Sequence, residues 1–133
     1  MLRSLAHILL CFALFLSLSV PSFAQEIPSG GALTPEQGMA LLGEQAGRLT
    51  ILDVRTPAEF AAGHAPGALH IPVDELRSRI AEVPAGPVLI VCRSGRRAKN
   101  AATILIRSGR PAEGLLYLSG YADYRSGGVR FHD

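Results

Sequence analysis

The feature that most constrains the fold is a short apolar segment that runs directly into a cysteine and then into a basic loop. The segment is residues 88–91, VLIV, which follows Gly86 and Pro87 and ends at Cys92. A short, β-branched apolar run after turn residues predicts a strand that is buried on both faces of a parallel sheet. Beyond the loop, residues 97–107 place apolar side chains on one helical face. The chain therefore predicts a strand, a cysteine, a tight loop and a helix in immediate succession.

This arrangement predicts that Cys92 is reactive. A helix amino terminus carries about half a positive charge and unpaired N–H groups, so it stabilises an anion held in the loop. Arg93, Arg96 and Arg97 add to that positive field. Both effects favour the thiolate, which is the form of cysteine that acts as a nucleophile. A lone cysteine can also be an inert buried residue. The position of Cys92 in a basic loop at the start of a helix favours a reactive thiol instead.

Residues 1–24 have the pattern of a secretory signal peptide. Arg3 supplies a positive charge, residues 5–20 are mainly apolar, and Ser22 and Ala24 satisfy the small-residue rule for cleavage after Ala24. The alternative is an uncleaved membrane anchor, for which the apolar segment is short. We therefore expect an exported protein, in the periplasm of a bacterium, with no membrane contact after cleavage.

The remainder, residues 25–133, is long enough for one domain with a single core. Residues 25–33 are predicted to be a flexible leader and residues 126–133 a loose tail. The formal net charge is only +2, which gives no nucleic-acid or membrane-binding signature. Cleavage would also remove Cys11 and leave Cys92 as a single thiol, which excludes a disulfide within the mature chain.

Helix-start signals and apolar runs alternate along this domain. Two capping boxes with proline at the first helical position begin at Thr34 and Thr56, and they predict helices to about Ala46 and to Gly63. Further helices are predicted over residues 74–83 and, after the last strand, 121–125. Strands are predicted over residues 49–52, 68–71, 88–91 and 115–118. The alternation predicts an α/β fold with an open parallel sheet and helices on both faces.

Three segments carry a resemblance to a known family. Residues 92–97, CRSGRR, resemble the six-residue active loop of the rhodanese (sulfurtransferase) family. Residues 52–72 are similar to its amino-terminal signature, with DVR, E-F, G-H, G-A and I-P in order, and residues 118–124 resemble its L-x-G-G-x-x-x-W segment. The resemblance implies the five-stranded rhodanese sheet, with the remaining strand in the leader or near residues 31–33.

The resemblance also implies a chemistry. Cys92 would carry a persulfide formed from thiosulfate or a similar donor, and a thiol or cyanide would accept the sulfur, with no cofactor or metal. The N–H groups of the loop would hold the persulfide, and Arg93 or Arg96 would bind the donor's sulfonate. The implied loop residues are Arg93, Ser94, Gly95, Arg96 and Arg97.

Three charged residues outside the loop are expected to support it rather than to react. Asp53 ends a strand and is expected to bind loop amides or an arginine, while Arg55 and Glu59 are expected to form a local ion pair. His64 is expected to be a packing residue, because a thiolate that attacks sulfur needs no base. His, Cys and carboxylate residues show no metal-binding spacing.

Three positions depart from the family pattern, and two other functions compete. Ala98 stands where many members have Ser or Thr, Ser119 replaces a Gly, and Tyr124 replaces the Trp. A phosphatase or arsenate reductase would place an arginine at position 98, where this chain has alanine. The other alternative is a non-catalytic binding module or a sulfur carrier fed by another protein. The sequence shows no interface signal that defines an oligomeric state.

Overall fold

The fold is seen in a computed structural model that describes residues 29–124 and 128–133. Five strands form one parallel sheet: β1 Gly31–Leu33, β2 Thr50–Asp53, β3 Leu69–His70, β4 Val88–Val91 and β5 Leu115–Leu118. Their order across the sheet is β1-β5-β4-β2-β3. The predicted α/β fold and its five-stranded parallel sheet are confirmed.

Three α-helices connect these strands: α1 Pro35–Glu44, α2 Pro57–Ala61 and α3 Arg96–Arg107. Both predicted capping boxes are present. The Thr34 side chain accepts a hydrogen bond from the Gln37 N–H, and the Thr56 side chain accepts one from the Glu59 N–H. These caps satisfy N–H groups that the first helical turn leaves without an internal partner.

The core lies on both faces of the sheet, and β4 divides it. Val88 and Ile90 point into the cluster that contains the buried side chains of α3, whereas Leu89 and Val91 point into the cluster that contains Leu41 of α1. All four β4 side chains are fully buried. Successive side chains of a strand face opposite ways, so a continuous apolar run is what a sheet covered on both faces requires.

The predicted helix over residues 74–83 is wrong. This segment consists of turns and ends in a short 3₁₀ helix, Ile80–Glu82. Its backbone bonds join residues three apart, as in the bond from the Leu76 N–H to the Val73 carbonyl. The Ser78 hydroxyl also donates to the Glu75 carbonyl at 2.8 Å. Local bonds of this kind compete with the α-helical pattern.

The carboxyl-terminal region is also more ordered than predicted. Strand β6, Tyr121–Asp123, replaces the predicted helix, and it pairs antiparallel with β7, Arg130–His132, where a loose tail is predicted. The tail pairs because Phe131 is buried in the cluster beneath α1. At the other end, β1 pairs in parallel with β5, which confirms the strand that the resemblance implies near residues 31–33 and shows that these residues are not a flexible leader.

The predicted signal peptide, its cleavage site after Ala24 and residues 25–28 of the leader lie outside the described residues. Within residues 29–124 and 128–133, no helix combines the length and apolarity needed to cross a bilayer.

Two glycines of α1 offer a matched test of the packing beneath this helix. A Cβ at Gly38 would lie 2.9 Å from Cδ2 of Phe131 and 3.1 Å from Cδ1 of Leu118, whereas a Cβ at Gly43 would meet nothing within 4 Å. We expect Gly43→Ala to raise the free energy of unfolding by up to about 1 kcal/mol, because alanine favours the helix. Gly38→Ala should lower it by about 1–3 kcal/mol through overpacking.

Urea unfolding of both variants measures these changes. Stabilisation by Gly38→Ala equal to that by Gly43→Ala would show that α1 does not press on Phe131 and Leu118.

Candidate active site

Cys92 lies at the carboxyl end of β4, immediately before the loop that leads into α3. The residue is 1% exposed. Its Sγ accepts a hydrogen bond from the Ala98 N–H, with 3.3 Å between nitrogen and sulfur. At the start of α3, the Lys99 N–H donates to the carbonyl of Gly95, the residue that caps the helix, at 2.9 Å. The thiol therefore accepts from the Ala98 N–H, which belongs to the first turn of the helix and has no partner within the helix.

The sequence analysis did not predict that the Ala98 N–H donates to Sγ. It assigned the binding of the persulfide to the N–H groups of residues 93–97. The sequence analysis considers only the side chain at position 98, which lacks both the Ser or Thr hydroxyl of many members and the arginine of a phosphatase. The backbone of Ala98 serves the sulfur whatever its side chain is, so the substitution of Ser or Thr by Ala leaves this contact in place. A signal for it exists in the sequence, since a helix that begins near residue 96 exposes the N–H groups of its first turn.

The loop depends on the backbone of Gly95, which caps α3 in the left-handed region with φ 81° and ψ −28°. A Cβ at this position would lie 3.0 Å from the Leu118 carbonyl oxygen and 3.0 Å from the Ser119 carbonyl carbon. A side chain is therefore disfavoured both by the backbone angle and by the close approach of β5.

The predicted loop residues separate into buried and exposed groups. Cys92 and Gly95 are buried, while Arg93, Ser94 and Arg96 are exposed around them. Arg97 is partly buried and points away from the others, toward α2. The structure therefore brings the predicted residues to one place but gives Arg97 a different environment from Arg93 and Arg96.

Arg97 is held by Glu59 in a bidentate ion pair. Its Nη1 lies 2.7 Å from Oε2 and its Nη2 lies 2.8 Å from Oε1. These bonds lower the pKa of Glu59 to about 2. The same carboxylate accepts a bond from the Thr56 N–H at 2.9 Å. The predicted pair between Arg55 and Glu59 is wrong, because Glu59 joins the cap of α2 to the start of α3.

Arg55 pairs instead with Asp53, in agreement with the prediction that Asp53 binds an arginine. Arg55 Nη2 lies 2.7 Å from Asp53 Oδ2, and both side chains are almost fully buried. Arg55 Nη2 also donates to the Gly63 carbonyl at 2.7 Å. Loss of one partner from such a pair leaves a buried charge, which typically destabilises a protein by about 3–5 kcal/mol. This pair joins the end of β2 to the loop after α2.

Aromatic rings complete the surroundings of this pair. Arg55 Cζ lies 4.3 Å from the centre of the Tyr124 ring. The Tyr124 hydroxyl is buried and has no hydrogen-bond partner among residues 29–124 and 128–133. Burial raises its pKa, so it stays protonated. Phe60 is stacked between His64 and His70, with ring centres 3.8 and 4.2 Å away. His64 is thus a packing residue, as predicted.

Comparison with known proteins agrees with this geometry. Residues 34–126 match the rhodanese-like domain family. A sulfurtransferase of Allochromatium vinosum is 42% identical over 60 residues, which are 44% of this chain and 56% of that protein. The match therefore spans little more than half of that relative. The thiosulfate sulfurtransferase GlpE of Pseudomonas entomophila is 37% identical over 79 residues, 58% of this chain and 69% of that one.

A solved structure extends the comparison to the fold. The rhodanese-like domain protein of Staphylococcus aureus superposes with a TM-score of 0.56 at 26% identity, over 68% of this chain and 85% of that one. The family match covers most of the described chain and includes both the strand that ends at Cys92 and the loop that follows it. The chain belongs to the rhodanese-like domain family.

Proposed function

We propose that the chain is a sulfurtransferase that moves a sulfane sulfur from thiosulfate, or a similar donor anion, to cyanide or a thiol through a persulfide on Cys92. The observation that carries this proposal is the hydrogen bond from the Ala98 N–H to Cys92 Sγ at the start of α3. A donor aimed at sulfur and a helix amino terminus both favour negative charge on that atom.

In the first step, the Cys92 thiolate attacks the outer sulfur of thiosulfate. A bond forms between Sγ and that sulfur, the sulfur–sulfur bond of thiosulfate breaks, and sulfite leaves with the electron pair. Cys92 is only 1% exposed, so a donor that presents its reactive sulfur as a terminal atom suits the site. A bulky reactive centre would require a wider opening of the loop.

In the second step, the acceptor attacks the outer sulfur of the persulfide. The new bond joins the acceptor to that sulfur, the Cys92–sulfur bond breaks, and Cys92 returns to the thiolate. The N–H groups of the loop and of the first turn of α3 are suited to hold the anionic outer sulfur, in the way that an oxyanion hole holds oxygen. The cycle needs neither a cofactor nor an external oxidant.

The arginines of the loop are assigned two roles. Arg93 and Arg96 are exposed at the loop, and charge-assisted bonds from them would hold the sulfonate of the donor. Arg97 is engaged by Glu59 on both of its terminal nitrogens, so its role is to position the loop. The same pairing argues against phosphatase or arsenate chemistry. Such enzymes have an arginine at position 98 that binds the oxyanion, and Arg97, the nearest arginine in this loop, is already bound by Glu59.

We further infer that the protein acts after export, with residues 1–24 removed. The support is the signal-like pattern of those residues. The amino-terminal sequence of the protein recovered from the periplasm should begin at Gln25.

The persulfide cycle predicts a mass change. Incubation of the reduced protein with thiosulfate should add about one sulfur atom to its intact mass, cyanide should remove it, and Cys92→Ser should show neither change. The substitution removes the nucleophile but keeps a side chain of similar size. A verified reduced Cys92 that takes up no sulfur from thiosulfate would contradict the donor assignment, and uptake only from a protein persulfide would identify a carrier.

The Glu59–Arg97 pair predicts a pH-dependent stability. The pKa of Glu59 is lowered to about 2 by Arg97, so the pair stabilises the fold above the unfolded pKa of about 4.3. That contribution is lost as the pH falls toward 2. Glu59→Gln keeps the capping box and should lower the free energy of unfolding at pH 7 by about 1 kcal/mol, a value that allows for partial exposure.

Urea unfolding at pH 7, 5 and 3 measures the difference between Glu59→Gln and the unsubstituted protein, with the exposed Glu113→Gln as the control. The difference should shrink at pH 3 and stay constant between pH 5 and 7. A difference that is equal at all three pH values would show that the ion pair is not its cause.

A further inference from the structure

The basic residues at the active loop differ in whether an acidic side chain neutralises them. Arg97 is paired with Glu59. Arg93, Arg96 and Lys99 are all exposed, and no acidic residue of the described ranges 29–124 and 128–133 forms an ion pair with them. Positive charge therefore remains available on one side of the loop.

Two of these cations, Arg96 and Lys99, line a cleft beside the active loop, and Lys99 has no part in the proposed sulfur-transfer steps. Its volume is about 330 Å³, and its walls come from β1, the loop, α3, β5 and the segment after β5. The residues that matter here are Ser94, Arg96, Lys99, Tyr117 and Ser119. Arg96 and Lys99 are three apart in α3, so their side chains lie on the same helical face. Among residues 29–124 and 128–133, no Asp or Glu lines the cleft.

The cleft shares a wall with the active loop. Ser94 is two residues from Cys92, a separation of at most about 7 Å along the chain. Gly95 packs against the backbone of Ser119. The Ser119 hydroxyl is fixed by its bond to the Leu33 carbonyl at 2.8 Å, so this wall is tied to the sheet. A molecule held in the cleft lies beside the loop that encloses the reactive sulfur.

Size and charge define what the cleft accepts. A volume of about 330 Å³ falls at the lower end of small-molecule sites, which run from roughly 300 to 1,000 Å³. Cyanide would fill only a small part of it. Two cations and neighbouring hydroxyl groups without a carboxylate suit an oxygen anion, and a carboxylate matches the fork of Arg96 and the ammonium of Lys99.

We propose that this cleft is an anion-binding subsite that holds the carboxylate of a low-molecular-weight thiol, while the thiol group of the same molecule accepts sulfur from Cys92. The inference deepens the proposed function and rests on it. The acceptor thiolate attacks the outer sulfur of the Cys92 persulfide, a sulfur–sulfur bond forms on the acceptor, and the bond to Cys92 breaks with its electron pair returning to Sγ. The products are an acceptor persulfide and the Cys92 thiolate, with no net oxidation.

The test compares mercaptosuccinate, which carries two carboxylates, with 2-mercaptoethanol, which carries none. The protein is first loaded with thiosulfate, and the loss of the persulfide to each thiol is followed by intact mass. Lys99→Gln should lower kcat/KM for mercaptosuccinate about fivefold and change that for 2-mercaptoethanol less than twofold. Arg107→Gln, at the other end of α3, is the matched control and should change neither.

A reading that does not depend on turnover separates this inference from the proposed function. Succinate, which has no thiol, should shift the NMR signals of the Ser94 and Ser119 amides in the resting protein, and Lys99→Gln should weaken this binding. If thiosulfate forms no persulfide on Cys92, thiosulfate is not the donor. Succinate binding would still show whether the cleft binds carboxylates. Normal loading with equal losses for both thiols, or no succinate binding, would overturn the cleft assignment.

Discussion

The site depends on one backbone constraint, the left-handed conformation of Gly95 against the end of β5. With no Cβ at this position, the chain turns from β4 into α3 within a few residues and keeps the first turn of the helix over Cys92. The turn brings the Ala98 N–H to Sγ at 3.3 Å. It also carries Arg96 and Lys99 to the edge of the cleft. The conformation of Gly95 therefore determines both the contact at Cys92 Sγ and the position of the cleft proposed to bind the acceptor thiol.

The charges of the site follow from where each side chain is anchored. Arg55 and Arg97 are both engaged by carboxylates. The Glu59–Arg97 pair joins α2 to α3, and Arg55 reaches the loop after α2 through its bond to the Gly63 carbonyl. Arg93 and Arg96 remain exposed at the loop. The sequence analysis assigned a positive field to all three loop arginines, but only two of them lack a carboxylate partner among the described residues. One arginine is used for structure, and the other two keep their charge for anions from solution.

Local sequence signals were sufficient for four strands of the sheet, for both capping boxes and for the position of Cys92, because apolar runs and caps act over a few neighbouring residues. The fifth strand, β1, was expected only from the family resemblance. Contacts between distant segments were not predictable in the same way. Glu59 meets Arg97 across 38 positions, and the choice between Arg55 and Arg97 depends on where α2 docks. The tail pairs as a strand because Phe131 finds a place beneath α1. A helix was predicted over residues 74–83, but the backbone there forms hydrogen bonds between residues three apart, and the Ser78 hydroxyl bonds to the Glu75 carbonyl.

Strand β1 has a consequence for the solubility of the folded protein. Its pairing with Leu116–Leu118 is short, and both the N–H and the hydroxyl of Ser119 donate to the Leu33 carbonyl beside it. Without β1, the strand Leu115–Leu118 would present an unpaired and apolar edge, which is a template for pairing with another chain. Loss of residues 31–33 would expose this edge and would also remove the Leu33 carbonyl that anchors Ser119 beside Gly95, so we expect a chain trimmed past Leu33 to self-associate. Residues 31–33 are therefore part of the folded domain.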